Sequence, residues 1–255
     1  MSSISSINSR MNDMYGKIAS GRKLQRASDG AAELAMSEKE KSIVGGYNAG
    51  SNNIGAGKDM LNIADGAMGS ITDSLQRMKE LAIQASNGTM SASDKKSIQN
   101  EIDQLKEGIA QVSTTTKYNE MNVLDGTTGD VNIVADGNGD IIKTGGMNAT
   151  LEQLGIKDFD VTQNDFDMSV IDDALDKVSS LRSAAGAQTN ALDYAYAFNQ
   201  NAAYNSTAAQ SRLEDLDIPK AISEQKKQQT LEQYRMVMQK KAMDDNHQRT
   251  LGLFQ

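Results

Sequence analysis

At 255 residues the chain is long enough for one or two domains, yet 38% apolar and 4% aromatic residues, with no Trp, are too few for a thick globular centre. A formal net charge of −8 argues against nucleic acid or an anionic membrane surface as partner, and zero Cys removes disulfides, thiol chemistry and Cys-based metal sites. Residues 1–17 (MSSISSINSRMNDMYGK) contain no apolar stretch of a conventional secretory signal, and no run is long enough to cross a bilayer.

The apolar supply is instead Ile, Leu, Val, Ala and 14 Met, which suits narrow helix seams and an elongated shape. Ile4, Ile7, Met11, Met14 and Ile18 recur at steps of 3, 4, 3 and 4. Gly45-Gly46 and the cluster Gly50, Gly55 and Gly57 then predict an interruption of helix. A second stripe, Ala64, Met68, Ile71, Leu75, Met78, Ala82 and Ala85, steps by 4, 3, 4, 3, 4 and 3 towards a helix stop at Asn87-Gly88. Ser91 with Asp94 three residues on predicts a capping box, with Asp in place of the usual Glu or Gln. The helix it starts carries Ile98, Ile102, Leu105, Ile109, Val112 and Thr116 and is predicted to run to about Lys117. Such alternation averages about 3.5 residues, the spacing that keeps one stripe facing a partner helix.

Past Asp125-Gly126 the pattern changes. Val131–Val134 and Ile141–Lys143 flank Asp136-Gly137-Asn138-Gly139, which predicts a β-hairpin. Asn148–Leu154 predicts a short helical turn. A fourth stripe starts at Ile171, Leu175 and Val178 and continues through Leu181, Ala185, Leu192 and Tyr196. Pro219 predicts a break. The polar tail beyond it carries Leu231, Tyr234, Val237 and Met238, then Leu251, Leu253 and Phe254. A helix this polar buries too little to fold alone and needs a partner. The expected fold is mainly α: an elongated antiparallel helical bundle or coiled coil with a small β-hairpin insertion. Its expected parts are residues 1–42 with 219–255 as terminal arms, 43–126 with 168–218 as a helical rod, and 127–167 as the insertion.

One stretch is more specific. Leu75-Gln76-Arg77, Lys79-Glu80-Leu81, Gln84-Ala85, Asn87-Gly88-Thr89 and Ser93-Asp94 follow one another in the order found in bacterial flagellins. Upstream, Ser20-Gly21, Asp29, Ala31-Ala32 and Asp65-Gly66-Ala67 resemble the same family. Downstream, Gly186-Ala187, Asn190, Leu192, the segment AAQSRLEDLDIPK (208–220) and Leu251-Gly252-Leu253-Phe254 resemble its C-terminal half. The likeness covers residues 1 to about 125 and about 169 to 255. It departs in lacking the family's further N-terminal stretch, which implies a shortened arm, and in carrying Asp29-Gly30 where the family has an Asp pair.

The resemblance implies a structural subunit, secreted to the extracellular flagellum, that polymerises into the filament used for motility. Its assembly residues would be Ile4, Ile7, Met11, Met14, Ile18, Leu231, Tyr234, Val237, Met238, Leu251, Leu253 and Phe254, ordered only when other copies cover them. The implied partners are the chain itself, an export chaperone, and filament cap or junction proteins. Many flagellins are also bound by the innate immune receptor Toll-like receptor 5. The corresponding face here is Gln76, Arg77, Glu80, Leu81, Gln84 and Gly108, with recognition weakened because Gly108 stands where the family has Glu. Solvation or subunit contact is the plainer reading of that face. Alternatives are a hook–filament junction protein and a coiled-coil adaptor or signalling protein.

No catalytic constellation, metal site or cofactor site is expected. Asp136, Asn138 and Asp140 mimic the opening of a calcium loop, but Ile141 and Met147 occupy its Gly and Glu positions. His247 is the lone histidine, too few for a zinc site of the usual kinds.

Overall fold

The computed structural model describes Ser2–Gly252 except residue 164, and the side chains of residues 9–249. The side chains of Ile4, Ile7 and Leu251, and Leu253 and Phe254 altogether, lie outside the described residues. In chain order the elements are α1 (Ser2–Ser20), a 3-10 turn (Ala27–Asp29), α2 (Ala31–Ala85), α3 (Ala92–Thr115), β1 (Lys117–Tyr118), β2 (Met121–Asn122), β3 (Val131–Val134), β4 (Ile141–Thr144), α4 (Leu151–Leu154), α5 (Ser169–Glu214) and α6 (Ile218–Gly252). They divide into two compact units, the first of residues 1–44 with 204–255 and the second of residues 45–203.

The second unit is built on the predicted seams. Ala64, Met68, Ile71, Leu75, Met78, Ala82 and Ala85 are each at most 1% exposed. Ile98, Ile102 and Ile109 of α3 and Ile171, Val178, Ala185 and Leu192 of α5 share one core with them. Each Ile, Leu, Val or Met among them contributes about 1.5–3 kcal/mol when fully buried, and unbranched Met fills the irregular gaps between helices. The capping box forms: Ser91 Oγ accepts from the Asp94 N–H at 3.2 Å, and the Asp94 carboxylate accepts from the Ser91 N–H at 3.1 Å. The fourth stripe drifts from expectation. Tyr196 is 41% exposed, while Ala195 packs on the core and Asn199 is 2% exposed. A step of three from Leu192 keeps the seam; a step of four turns the side chain out.

The glycine cluster does not interrupt α2. Gly46, Gly50 and Gly57 instead line a bare track on the helix, into which the β3–β4 hairpin settles. A Cβ on Gly46 would lie 2.7 Å from Gly137 Cα, and one on Gly50 2.5 Å from the Ala135 carbonyl carbon. A Cβ on Gly57 would collide with the Ile133 side chain, whereas Gly45 and Gly55 face open space. Packing the hairpin outweighs the cost of glycine in a helix, about 0.5–1 kcal/mol each. The hairpin is antiparallel, pairing Val131 with Thr144 and Val134 with Ile141. Asn199 Nδ2 donates to the Ala135 carbonyl at 2.6 Å and Asn53 Nδ2 to that of Val134 at 3.1 Å. At its tip, Asp136 Oδ1 accepts from the N–H groups of Asn138 and Asp140 at 2.9 and 3.1 Å, so this carboxylate closes the turn.

Two boundaries move. The third helix ends at Thr115, before Lys117, and an unpredicted tight turn follows between β1 and β2, with Asn119 and Glu120 at φ 46° and 67°. Pairs of positive φ suit a two-residue hairpin, and Asn tolerates them better than Glu. In the first unit the break falls at residues 215–217, and Pro219 sits inside the first turn of α6. There its missing N–H costs nothing, because first-turn N–H groups have no helical acceptor.

Candidate assembly interface

Within the first unit, α1 and α6 lie against each other. Advancing by about 100° per residue, the side of α6 that faces inward is Ala221, 7% exposed, followed by half-buried Gln225, Gln229 and Glu232. Gln229 Nε2 donates to the Tyr15 hydroxyl of α1 at 2.9 Å. On α1 the half-buried positions include Met11, Met14 and Ile18, as the stripe predicts. A groove of about 260 Å³ runs between the two helices, lined by Arg10, Met11, Met14, Gln228, Leu231 and Arg235.

The apolar stripe of α6 points elsewhere. Leu231, at the groove's edge, is 39% exposed, Tyr234 61%, Val237 65% and Met238 49%. Among the described residues, these four have no comparable cover. Apolar periodicity identified this outward stripe but missed the inward one, because Gln225, Gln229 and Glu232 carry no apolar signal; only their spacing of four and three marks them.

The polar side of α2 in the second unit is tied down by ion pairs. Arg77 donates through Nη2 and Nε to Glu101 of α3 at 2.7 and 2.9 Å, and through Nη1 to Glu80 at 3.1 Å. Glu101 first, then Glu80, pushes the guanidinium pKa further up. Lys79 pairs with Asp172 of α5 at 2.5 Å, and Arg182 with Asp65 at 2.8 Å. Such exposed pairs orient side chains more than they stabilise. Gln76, Arg77, Glu80 and Gln84 share the exposed side, but Leu81 does not: it is 2% exposed and belongs to the core, because residues 78, 81, 82 and 85 form the seam. Gly108 on α3 is half-buried, with nothing within 4 Å of the place where a Cβ would stand.

Charge is divided unevenly. The first unit holds 15 Lys and Arg against 12 Asp and Glu, a net +3, and the second 11 against 22, a net −11.

Comparison with known proteins now decides the family. The family model described as the bacterial flagellin N-terminal helical region matches residues 1–128, and that for the C-terminal helical region matches residues 168–252. The chain belongs to the bacterial flagellin family. The flagellin of Halalkalibacterium halodurans is 35% identical over 214 residues, covering 82% of this chain and 79% of the relative. That of Bacillus subtilis is 33% identical over 273 residues, covering 92% and 90%. The crystal structure of Bacillus cereus flagellin superposes with a TM-score of 0.52 at 29% identity, covering 57% of this chain and 87% of that one.

This flagellin is therefore a structural subunit of the flagellar filament, a polymer of copies of itself. The insertion between the two matched regions, residues 129–167, is where flagellin-type helices give way to the hairpin and α4.

Proposed function

We propose that this flagellin assembles through the outward side of its α1–α6 pair. Leu231, Tyr234, Val237 and Met238 are covered by neighbouring copies, together with Met11, Met14 and Ile18 and with Ile4, Ile7, Leu251, Leu253 and Phe254. The observation that carries this reading is the reversal on α6, where the side facing α1 is Ala, Gln and Glu while the apolar stripe is 39–65% exposed. An apolar stripe left exposed among the described residues gains about 25 cal/mol for each Å² that a neighbour removes from water. Contacts between unlike surfaces do not close on themselves, so they propagate as an open helix.

Under this reading residues 1–42 with 219–255 form the polymer's core, 43–126 with 168–218 a helical rod, and 127–167 the part turned to solvent. The subunit is secreted to the extracellular filament, and an export chaperone and cap or junction proteins handle it before and during growth. Val237→Asp tests the assembly surface. Its expected effect is an unchanged monomer melting curve and a critical concentration for polymerisation raised about ten-fold or more, since about 1.4 kcal/mol per subunit contact gives a factor of ten. Polymerisation at the wild-type concentration would refute the assignment.

A second reading concerns host recognition. Gln76, Arg77, Glu80 and Gln84, with Gly108, make the face offered to Toll-like receptor 5; Leu81, buried in the seam, is left out of it. The open space at Gly108 supports a simple test. Gly108→Glu is expected to raise receptor signalling, and no gain would count against the account.

A further inference from the structure

Two Asn-Gly pairs lie in exposed turns, Asn87-Gly88 between α2 and α3 and Asn138-Gly139 at the tip of the β3–β4 hairpin. In an unfolded chain the two are chemically alike. The backbone nitrogen after an asparagine can attack its side-chain carbonyl carbon, and glycine at that place has no Cβ to hinder the approach. The fold sets the two pairs apart.

At the hairpin tip the reacting groups are engaged elsewhere. The Gly139 N–H donates to the Asp136 carbonyl at 3.4 Å, and Asn138 Nδ2 donates to Asp136 Oδ2 at 3.1 Å. At residue 87 the arrangement is inverted. Asn87 Oδ1 accepts from the Thr89 N–H at 3.2 Å and from Thr89 Oγ1 at 3.0 Å. The exposed Gly88 N–H meets no acceptor among the described residues, and the space beside its Cα is open to 4 Å. Asn148 supplies a third case. Its Oδ1 accepts the same two bonds from Thr150, at 3.1 and 2.8 Å. The next nitrogen, however, is that of Ala149, which is 0% exposed and donates to the Leu124 carbonyl at 2.8 Å. Of the three, Asn87 alone joins a polarised side-chain carbonyl to a free glycine nitrogen.

We infer that Asn87 is a self-modifying site, which loses its side-chain amide through a cyclic imide while Asn138 and Asn148 stay intact. The Gly88 nitrogen gives its proton to hydroxide and attacks Cγ of Asn87. The carbonyl electron pair moves onto Oδ1, where the two Thr89 donors already stand, as the donors of an oxyanion hole do. The pair then returns, the Cγ–Nδ2 bond breaks, and the amide nitrogen leaves as ammonia with a proton from water. Water opens the imide at either carbonyl, giving an aspartyl residue or an isoaspartyl link. In sum, one water is consumed and one ammonia released. Both products add a negative charge to a second unit already at net −11. The isoaspartyl form also lengthens the main chain by one carbon just ahead of the Ser91 cap of α3. A subunit thus carries a chemical record of its age, and the reaction needs neither terminal arm nor any neighbouring copy.

Ageing the full-length monomer in neutral buffer, with peptide mass spectrometry at each asparagine, tests this. In the folded chain Asn87 is expected to convert about ten-fold or more faster than Asn138, since a single oxyanion-hole donor is worth about 10²–10³ in rate in enzymes. Asn148 is expected to remain unconverted. In urea the two Asn-Gly pairs are expected to convert at similar rates, because their difference belongs to the fold. Thr89→Val keeps the N–H donor but removes the hydroxyl, and is expected to slow conversion of Asn87 by about ten-fold; Thr89→Ser restores it. Were Thr89→Val to melt early, the contrast between folded and urea-treated wild type decides alone. No conversion at Asn87, conversion of Asn138 or Asn148 as fast as that of Asn87, or a folded Thr89→Val that converts at or above the wild-type rate would overturn the assignment.

Discussion

Gly50→Ala sets two effects of opposite sign against each other. Alanine in place of glycine inside a helix is worth about 1 kcal/mol in favour of folding. At residue 50 the new methyl would enter the space of the Ala135 carbonyl, 2.5 Å from its carbon and 2.9 Å from Asp136 Cα. Backbone cannot rotate away as a side chain can, so the hairpin has to lift. Lifting breaks the Asn199–Ala135 bond of 2.6 Å, worth about 0.5–1.5 kcal/mol net. It also uncovers Ile133, which is 5% exposed and loses part of about 1.5–3 kcal/mol. The balance is a net loss of about 1–3 kcal/mol, or a fall in Tm of roughly 2–12 °C at ~2–4 °C per kcal/mol. Gly55→Ala, with nothing within 4 Å, is the matched control and should raise Tm by about 2–4 °C. Thermal unfolding of the two variants, with exchange at the Ala135 amide, reads both signs. Gly50→Ala as stabilising as Gly55→Ala would refute the glycine track.

Three further outcomes follow from the same geometry. Ser91→Ala removes the cap of α3 and should cost about 0.5–2 kcal/mol in denaturant unfolding. Lys17, then the Gln25 and Arg26 N–H groups, lower the Asp29 carboxyl from 3.8 to about 2, so its stabilising effect is complete above 3.8 and lost as pH falls through about 2. Exchange-corrected protection of the Gln25 and Arg26 amides should therefore decline between these values, and a decline already complete at pH 4 would contradict the assignment. Finally, copies whose second units each carry net −11 repel one another. Raising NaCl from about 10 to about 150 mM shortens the screening length from ~30 to ~8 Å and should lower the critical concentration; a rise would point to attractive ion pairs between subunits.

Three-and-four spacing of Ala64 to Ala85 and of Ile98 to Val112 determined by itself that these residues face helices, because on an amphipathic α-helix residues three and four apart fall on one stripe. Ser91 with Asp94 fixed a helix start, and Asp136-Gly137-Asn138-Gly139 a hairpin, since both are local hydrogen-bond arrangements that need no distant partner. The outward stripe of α6 was legible for the same reason.

What lay beyond the sequence were choices between neighbours far apart in the chain. Gly46, Gly50 and Gly57 read as breakers until the hairpin, some eighty residues on, came to rest on them and turned missing side chains into room for backbone. Leu81 sits among polar residues that share one surface, yet its angle on α2 sends it into the core. Glu214 looks like any surface glutamate in SRLEDLD; only the tertiary fold surrounds it with Arg22, Ser37 and Gln210. Periodicity reports which side of a helix avoids water, whereas the partner that covers it, and the polar groups trapped beneath, are set by long-range packing.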